Sequence, residues 1–122
     1  MRRTTRKHLP VLCPRLRIVS GKTIAFGPGK AKLLALVAET GSIGDAAASM
    51  KMSYMRAWSL IQTMNRCFGE PLVVAARGGN RHGGATLTVT GRQVLKLYRR
   101  MEIASLKASK KDWAAFQKLL GS

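Results

Sequence analysis

The sequence predicts a mainly α fold with small β-hairpins, and three observations carry that reading. Gly41-Ser42-Ile43 through Lys51-Met52-Ser53 to Trp58 reads as a short helix, a tight turn and the start of a second helix, with a serine placed to cap each one. After that second helix come two short apolar runs, 72–76 and 85–89, separated by Arg77-Gly78-Gly79-Asn80-Arg81-His82-Gly83-Gly84, a flexible basic tip between two strands. Finally, 22 Lys+Arg against 5 Asp+Glu give 122 residues a formal charge of +17, so a polyanionic partner is expected. Helix, turn, helix and β wing together make a winged helix-turn-helix.

The same composition excludes several classes. With 46% hydrophobic residues the chain can build one core of ordinary size without cross-links or metal. Cys13 and Cys67 lack the paired spacing of a zinc or redox motif and are expected to be reduced thiols. His8 and His82 lie far apart, and Glu39, Asp45, Glu70, Glu102 and Asp112 are isolated from one another, so no acid–base pair or ligand set is spaced for catalysis. Gly29-Lys30 fails as a phosphate loop, because Ile24 stands where the first glycine belongs and Ala31 where Ser or Thr should follow. An enzyme is therefore not expected, and neither is a cofactor. The basic N-terminus leads into Leu9-Pro10-Val11-Leu12-Cys13-Pro14, too short and too Pro-broken for a signal core or membrane span, so a cytoplasmic location without membrane contact is expected.

Along the chain, residues 1–11 read as a basic disordered tail and 12–89 as the winged helix-turn-helix. Within it, Leu16, Ile18, Ile24 and Phe26 alternate with charged residues around Ser20-Gly21, which predicts a hairpin with one buried face. Pro28 suits the first turn of a helix carrying Leu33, Leu34, Leu36 and Val37, ending near Thr40-Gly41. Ser42 with Asp45 three residues on makes a capping-box variant for a short helix to about Met50, whose Ala46, Ala47 and Ala48 permit close crossing. Ser53 caps a third helix to about Phe68, with Ala57, Ile61, Met64 and Phe68 in a buried stripe, and Trp58 is assigned to packing. Thr90 and Gln93 read as another capping box, opening a helical segment over 90–122 with Val94, Leu97, Tyr98, Met101 and Ala104 on one side and Trp113, Phe116 and Leu120 buried further on. One helix or two is left open there.

The third helix turns a polar, basic face outward. Ser53, Tyr54, Met55, Arg56, Ser59, Gln62 and Thr63 are the candidate recognition residues: Arg56 can donate bidentately to guanine, Tyr54 and Ser59 can bond base edges or phosphate, and Met55 can touch a thymine methyl. Lys51, Arg66, Arg77, Asn80, Arg81 and His82 are candidates for the backbone or the neighbouring minor groove. Each could equally be a solvated surface residue; their coincidence on one helix face and one loop is what favours double-stranded DNA.

These residues carry a resemblance. Gly27-Pro28-Gly29-Lys30, Glu39-Thr40-Gly41-Ser42-Ile43, Ala47-Ala48, Met52-Ser53-Tyr54-Met55-Arg56-Ala57-Trp58, Met64-Asn65, Leu72-Val73 and the Gly78-Gly79 to Thr88 segment closely resemble the DNA-binding domain of ModE-type molybdate-responsive transcriptional regulators, and more distantly the LysR-type helix-turn-helix. The resemblance covers roughly 12–105. It implies a homodimer built partly from flanking helices, with 90–122 as the dimerisation segment, recognition helices in successive major grooves about 34 Å apart, and wings on the backbone. It also implies molybdate-binding C-terminal domains, for which a sequence ending at Ser122 has no room, so direct molybdate binding is not expected. A sequence-specific regulator is thus the expected function. The alternatives are a non-specific architectural nucleic-acid binder and a protein adaptor with vestigial DNA binding.

Overall fold

A computed structural model describes residues 9–76 and 84–121. Two strands open the fold, β1 (Ile18–Ser20) and β2 (Thr23–Phe26), followed by α1 (Pro28–Thr40), α2 (Ile43–Ser49) and α3 (Tyr54–Cys67). The wing strands β3 (Val73–Ala75) and β4 (Ala85–Leu87) lead into α4 (Val89–Gln117). Each pair of strands forms its own antiparallel two-stranded sheet, so the fold is mainly helical with two small hairpins.

The helix boundaries follow local chemistry. Pro28 occupies the first turn of α1, and Gly41 ends it in the left-handed region (φ 72°) while its N–H bonds the Val37 carbonyl. The Ser42 hydroxyl accepts from the Asp45 N–H at 3.1 Å and the Ser53 hydroxyl from the Arg56 N–H at 3.1 Å, as the two serine caps require.

Leu33, Leu34 and Val37 from α1, Ala46 and Ala47 from α2, and Ala57, Ile61 and Met64 from α3 interlock in one core. The alanines of α2 let the three helices approach closely. The wing closes the core with Leu72, Val73, Ala85 and Leu87, and α4 with Leu95 and Tyr98. Asn65 fastens the root of the wing to α3: its side-chain oxygen accepts from the N–H groups of Leu72 (2.8 Å) and Val73 (3.3 Å), and its amide donates to the Val73 carbonyl (3.1 Å). On the other side, Ala85 N–H donates to the Gly41 carbonyl (3.0 Å) and Ser42 bridges Gly84, so β4 is also laced to the α1–α2 junction.

Three expectations are corrected and one open question is resolved. The β1–β2 hairpin does not bury alternate residues: the register shifts between Ile18 and Val19, so Ala25 is the extra residue of a bulge. Ala25 and Phe26 both turn inward, Phe26 to 1% exposure, while Ile24 is 42% exposed. The cap of α4 is Thr88 rather than Thr90, because Thr88 is extended (φ −76°, ψ 172°) and its hydroxyl accepts from Gly91 N–H at 2.9 Å. Val89 and Thr90 are already helical, and Thr90 donates instead to Glu70 at 2.6 Å. The open question about 90–120 resolves as one helix of 29 residues, about 43 Å long. Past Glu102, which still lies beside α1, that helix runs beyond the winged body, so Trp113 is only half-buried and Phe116 and Leu120 are exposed, where burial was expected. Among the described residues no helix is long and apolar enough to cross a membrane.

Candidate nucleic-acid interface

The interface is built around the turn between α2 and α3. Met52 N–H bonds the Ala47 carbonyl and Lys51 N–H the Ala48 carbonyl, both at 3.0 Å, which is the paired bonding of a Schellman motif. Lys51 takes the left-handed position (φ 57°) that glycine or asparagine normally fills. The chain then reverses within two residues into Ser53, so α3 starts at a fixed angle to α2.

On α3 the stripe Ala57, Ile61, Met64 faces the core. At about 100° per residue, Met55, Ser59, Gln62 and Arg66 form the row directly opposite, with Arg56 and Thr63 along one flank. Met55 is 65% exposed, and Arg56, Ser59 and Arg66 are exposed as well; Gln62 and Thr63 are half-buried. Thr63 donates to the Ser59 carbonyl at 3.1 Å, and Arg66 reaches the Thr63 hydroxyl at 3.5 Å, so the far end of the row is tethered while the first two turns stay open. No carboxylate lies on α3, whose outward dipoles and charges therefore present donors to an anionic partner.

Trp58, expected to pack, lies outside the core. It is 42% exposed on the flank opposite Arg56, next to Tyr54 and Met55, rather than packed in the core. Its spacing carried the signal, since a residue directly after the buried Ala57 sits about 100° away from the core direction.

The structure brings Ser53, Tyr54, Met55, Arg56, Ser59, Gln62, Thr63 and Arg66 onto one helix, with Lys51 at its approach. Arg77, Asn80, Arg81 and His82 lie outside the described residues; the wing root on either side of them, Ala76 N–H to Gly84 carbonyl at 3.1 Å, is in place.

Comparison with known proteins agrees with this architecture. The chain is 42% identical over 79 residues to the molybdenum transport protein ModE of Azotobacter vinelandii, covering 65% of this chain and 29% of that protein. It is 37% identical over 90 residues to the molybdenum-pterin-binding protein MopB of Rhodobacter capsulatus, covering 74% of this chain and 33% of the relative. The chain thus spans about a third of the length of the curated relatives it matches. Among solved structures it is similar to the CbnR DBD–DNA complex, with a TM-score of 0.53 and 25% identity over 70% of this chain and 92% of that one. The pattern of bacterial regulatory helix-turn-helix proteins of the lysR family matches residues 29–92, from the first turn of α1 to the first turn of α4. With the head, the wing root and the start of α4 all inside that match, the chain belongs to the lysR family of bacterial regulatory helix-turn-helix proteins.

Proposed function

We propose that this chain is the DNA-reading part of a sequence-specific transcriptional regulator of the ModE type. The observation that carries the reading is the first two turns of α3: capped by Ser53, free of acids, and exposing Tyr54, Met55, Arg56, Trp58 and Ser59 together. In this role Arg56, Tyr54, Met55 and Ser59 read base edges in the major groove, Gln62 and Thr63 support them, and Lys51 and Arg66 grip the flanking phosphates. Arg77, Asn80, Arg81 and His82 then follow the backbone or the adjacent minor groove.

Two copies act together in this reading. Val94, Leu97 and Met101 continue along α4 toward Trp113 and Phe116, whose rings stack at 6.0 Å, and the exposed members of this apolar side are what a partner α4 would cover. A homodimer reads two half-sites about 34 Å apart. Molybdate is not assigned a site in this chain, since the match to its molybdenum-named relatives covers about a third of their length.

Selection of duplexes from a random pool, followed by competition at physiological salt, tests the reading. The expected preference for selected over random DNA is at least about a thousandfold, and less than about tenfold would overturn it in favour of an architectural binder.

A further inference from the structure

The outer side of α4 has a separate character from its apolar side. At about 100° per residue, Arg92, Lys96, Arg100, Lys107, Lys110 and Lys111 share one sector of the helix, about 100° wide, and all six are exposed, with the exposed Ile103 between Arg100 and Lys107 as the apolar interruption. The two carboxylates of α4, Glu102 and Asp112, fall outside that sector, on the apolar side. Lys118, at the end of the helix, extends the line to about 39 Å from Arg92. Arg92 with Lys96, Lys96 with Arg100, and Lys107 with Lys111 are like charges one turn apart, which weaken an isolated helix; the spacing places no glutamate between them to offset this. Leu95 and Tyr98, buried on the winged body, lie on roughly the opposite side, so the basic sector is turned away from the body that carries α3.

We propose that this sector is a second DNA-backbone surface, which holds a duplex other than the one read by α3. The inference rests on the reading of α3 as the DNA-reading helix. A duplex is the polyanion that fits. Its charge is continuous, one per about 1.7 Å of axis, and matches a set of cations of single sign spread over a distance near one turn of DNA. An acidic protein surface would call for interspersed charges to fix register, and the sector has none. A membrane-surface helix would present its apolar side to lipid, yet Leu95 and Tyr98 commit the start of that side to the protein's own core, and in the proposed dimer a partner α4 covers the rest.

The test uses the full chain. A duplex selected by the protein is immobilised and saturated, unbound protein is washed away, and a labelled duplex of unrelated sequence is offered. Wild type captures the second duplex, and capture falls with salt by about 0.9 log units per tenfold salt for each phosphate contacted. The triple variant Lys107→Glu, Lys110→Glu, Lys111→Glu should hold the first duplex within about twofold of wild type and lose at least about tenfold in second-duplex capture, with the Lys→Gln triple between them. Equal capture by wild type and both variants overturns the proposal, because a second copy's α3 then does the bridging. No capture by wild type, or retention of anionic phosphatidylglycerol vesicles or polyglutamate in place of the duplex, overturns it too. If the protein shows no preference for the selected duplex, the α3 reading fails by itself; the sector is then judged by whether the Glu triple lowers the salt slope on unrelated DNA, and an unchanged slope overturns it.

Discussion

Gly91 lies against the Leu72 carbonyl with no room for a side chain: a Cβ there would overlap the carbonyl oxygen and stand 3.0 Å from its carbon. Leu72 in turn accepts from Thr88 N–H at 2.9 Å, and the Thr88 hydroxyl donates to the Pro71 carbonyl at 2.8 Å. The root of the wing and the first turn of α4 are therefore one backbone-to-backbone joint. Gly91→Ala should cost about 2–4 kcal/mol, because backbone rather than a flexible side chain must give way; urea denaturation reads it, and a loss below about 0.5 kcal/mol would contradict the joint.

Lys51 separates stability from binding. Its left-handed φ of 57° disfavours any residue with a Cβ, so Lys51→Gly should stabilise the fold by about 0.5–1 kcal/mol while weakening DNA binding on all sequences alike and lowering the salt slope by about one. Melting and salt titration of the same variant check both signs.

Arg56 and Trp58 flank opposite sides of the exposed row on α3. Arg56→Ala is expected to cost about 1–3 kcal/mol of specific binding and relax preference at one base pair, whereas Arg81→Ala weakens all sequences similarly. Trp58→Ala, at a residue 42% exposed, should change folding stability by less than a buried tryptophan would, under about 2 kcal/mol, and still reduce affinity for DNA. A large stability loss with unchanged affinity would return Trp58 to the core.

Tyr98 makes the fold sensitive to alkali. Burial pushes its phenol above the ordinary value of 10.0; Glu102 acts in the same direction and Arg15 opposes. A raised value in the folded state means that the stabilisation held by the neutral phenol is complete below pH 10 and drains away as pH climbs through the raised value. Tyr98→Phe, which loses the bond to the Leu16 carbonyl at 2.7 Å, should cost about 1 kcal/mol near neutrality and flatten the alkaline decline. Urea midpoints across that range for both proteins give the comparison.

The parts legible in the sequence were those with a local cause. Ser42, Ser53 and Gly41 act within three or four residues of themselves, so their caps could be read from spacing alone. Periodicity likewise located Ala57, Ile61 and Met64. What escaped had a non-local or competing cause. The Ala25 bulge depends on the partner strand, and it defeats any two-residue alternation argument. Thr88 and Thr90 are both chemically able to cap, and the Pro71 and Leu72 carbonyls, distant in sequence, decide between them. For Trp58, position on the helix, one residue past the buried Ala57, outweighs the packing preference of a large aromatic side chain. One continuous α4 follows from the lack of any Gly or Pro between Arg92 and Leu120.

The Tyr98 bond to Leu16 spans 82 residues, and the same ring meets Phe26 edge-on at 5.0 Å. A chain emerging from the ribosome must therefore make β1 and β2 early and, although Phe68 at the end of α3 can already meet the Phe26 ring edge-on at 6.2 Å, leave Leu16 and Phe26 without Tyr98 until α4 has been synthesised. Helices α1 to α3 can collapse on local contacts in the meantime, while the N-terminal segment is locked last, once the longest loop in the molecule closes. Order of synthesis and order of consolidation run in opposite directions here, and the head's N-terminal edge becomes a late reporter of whether α4 has docked.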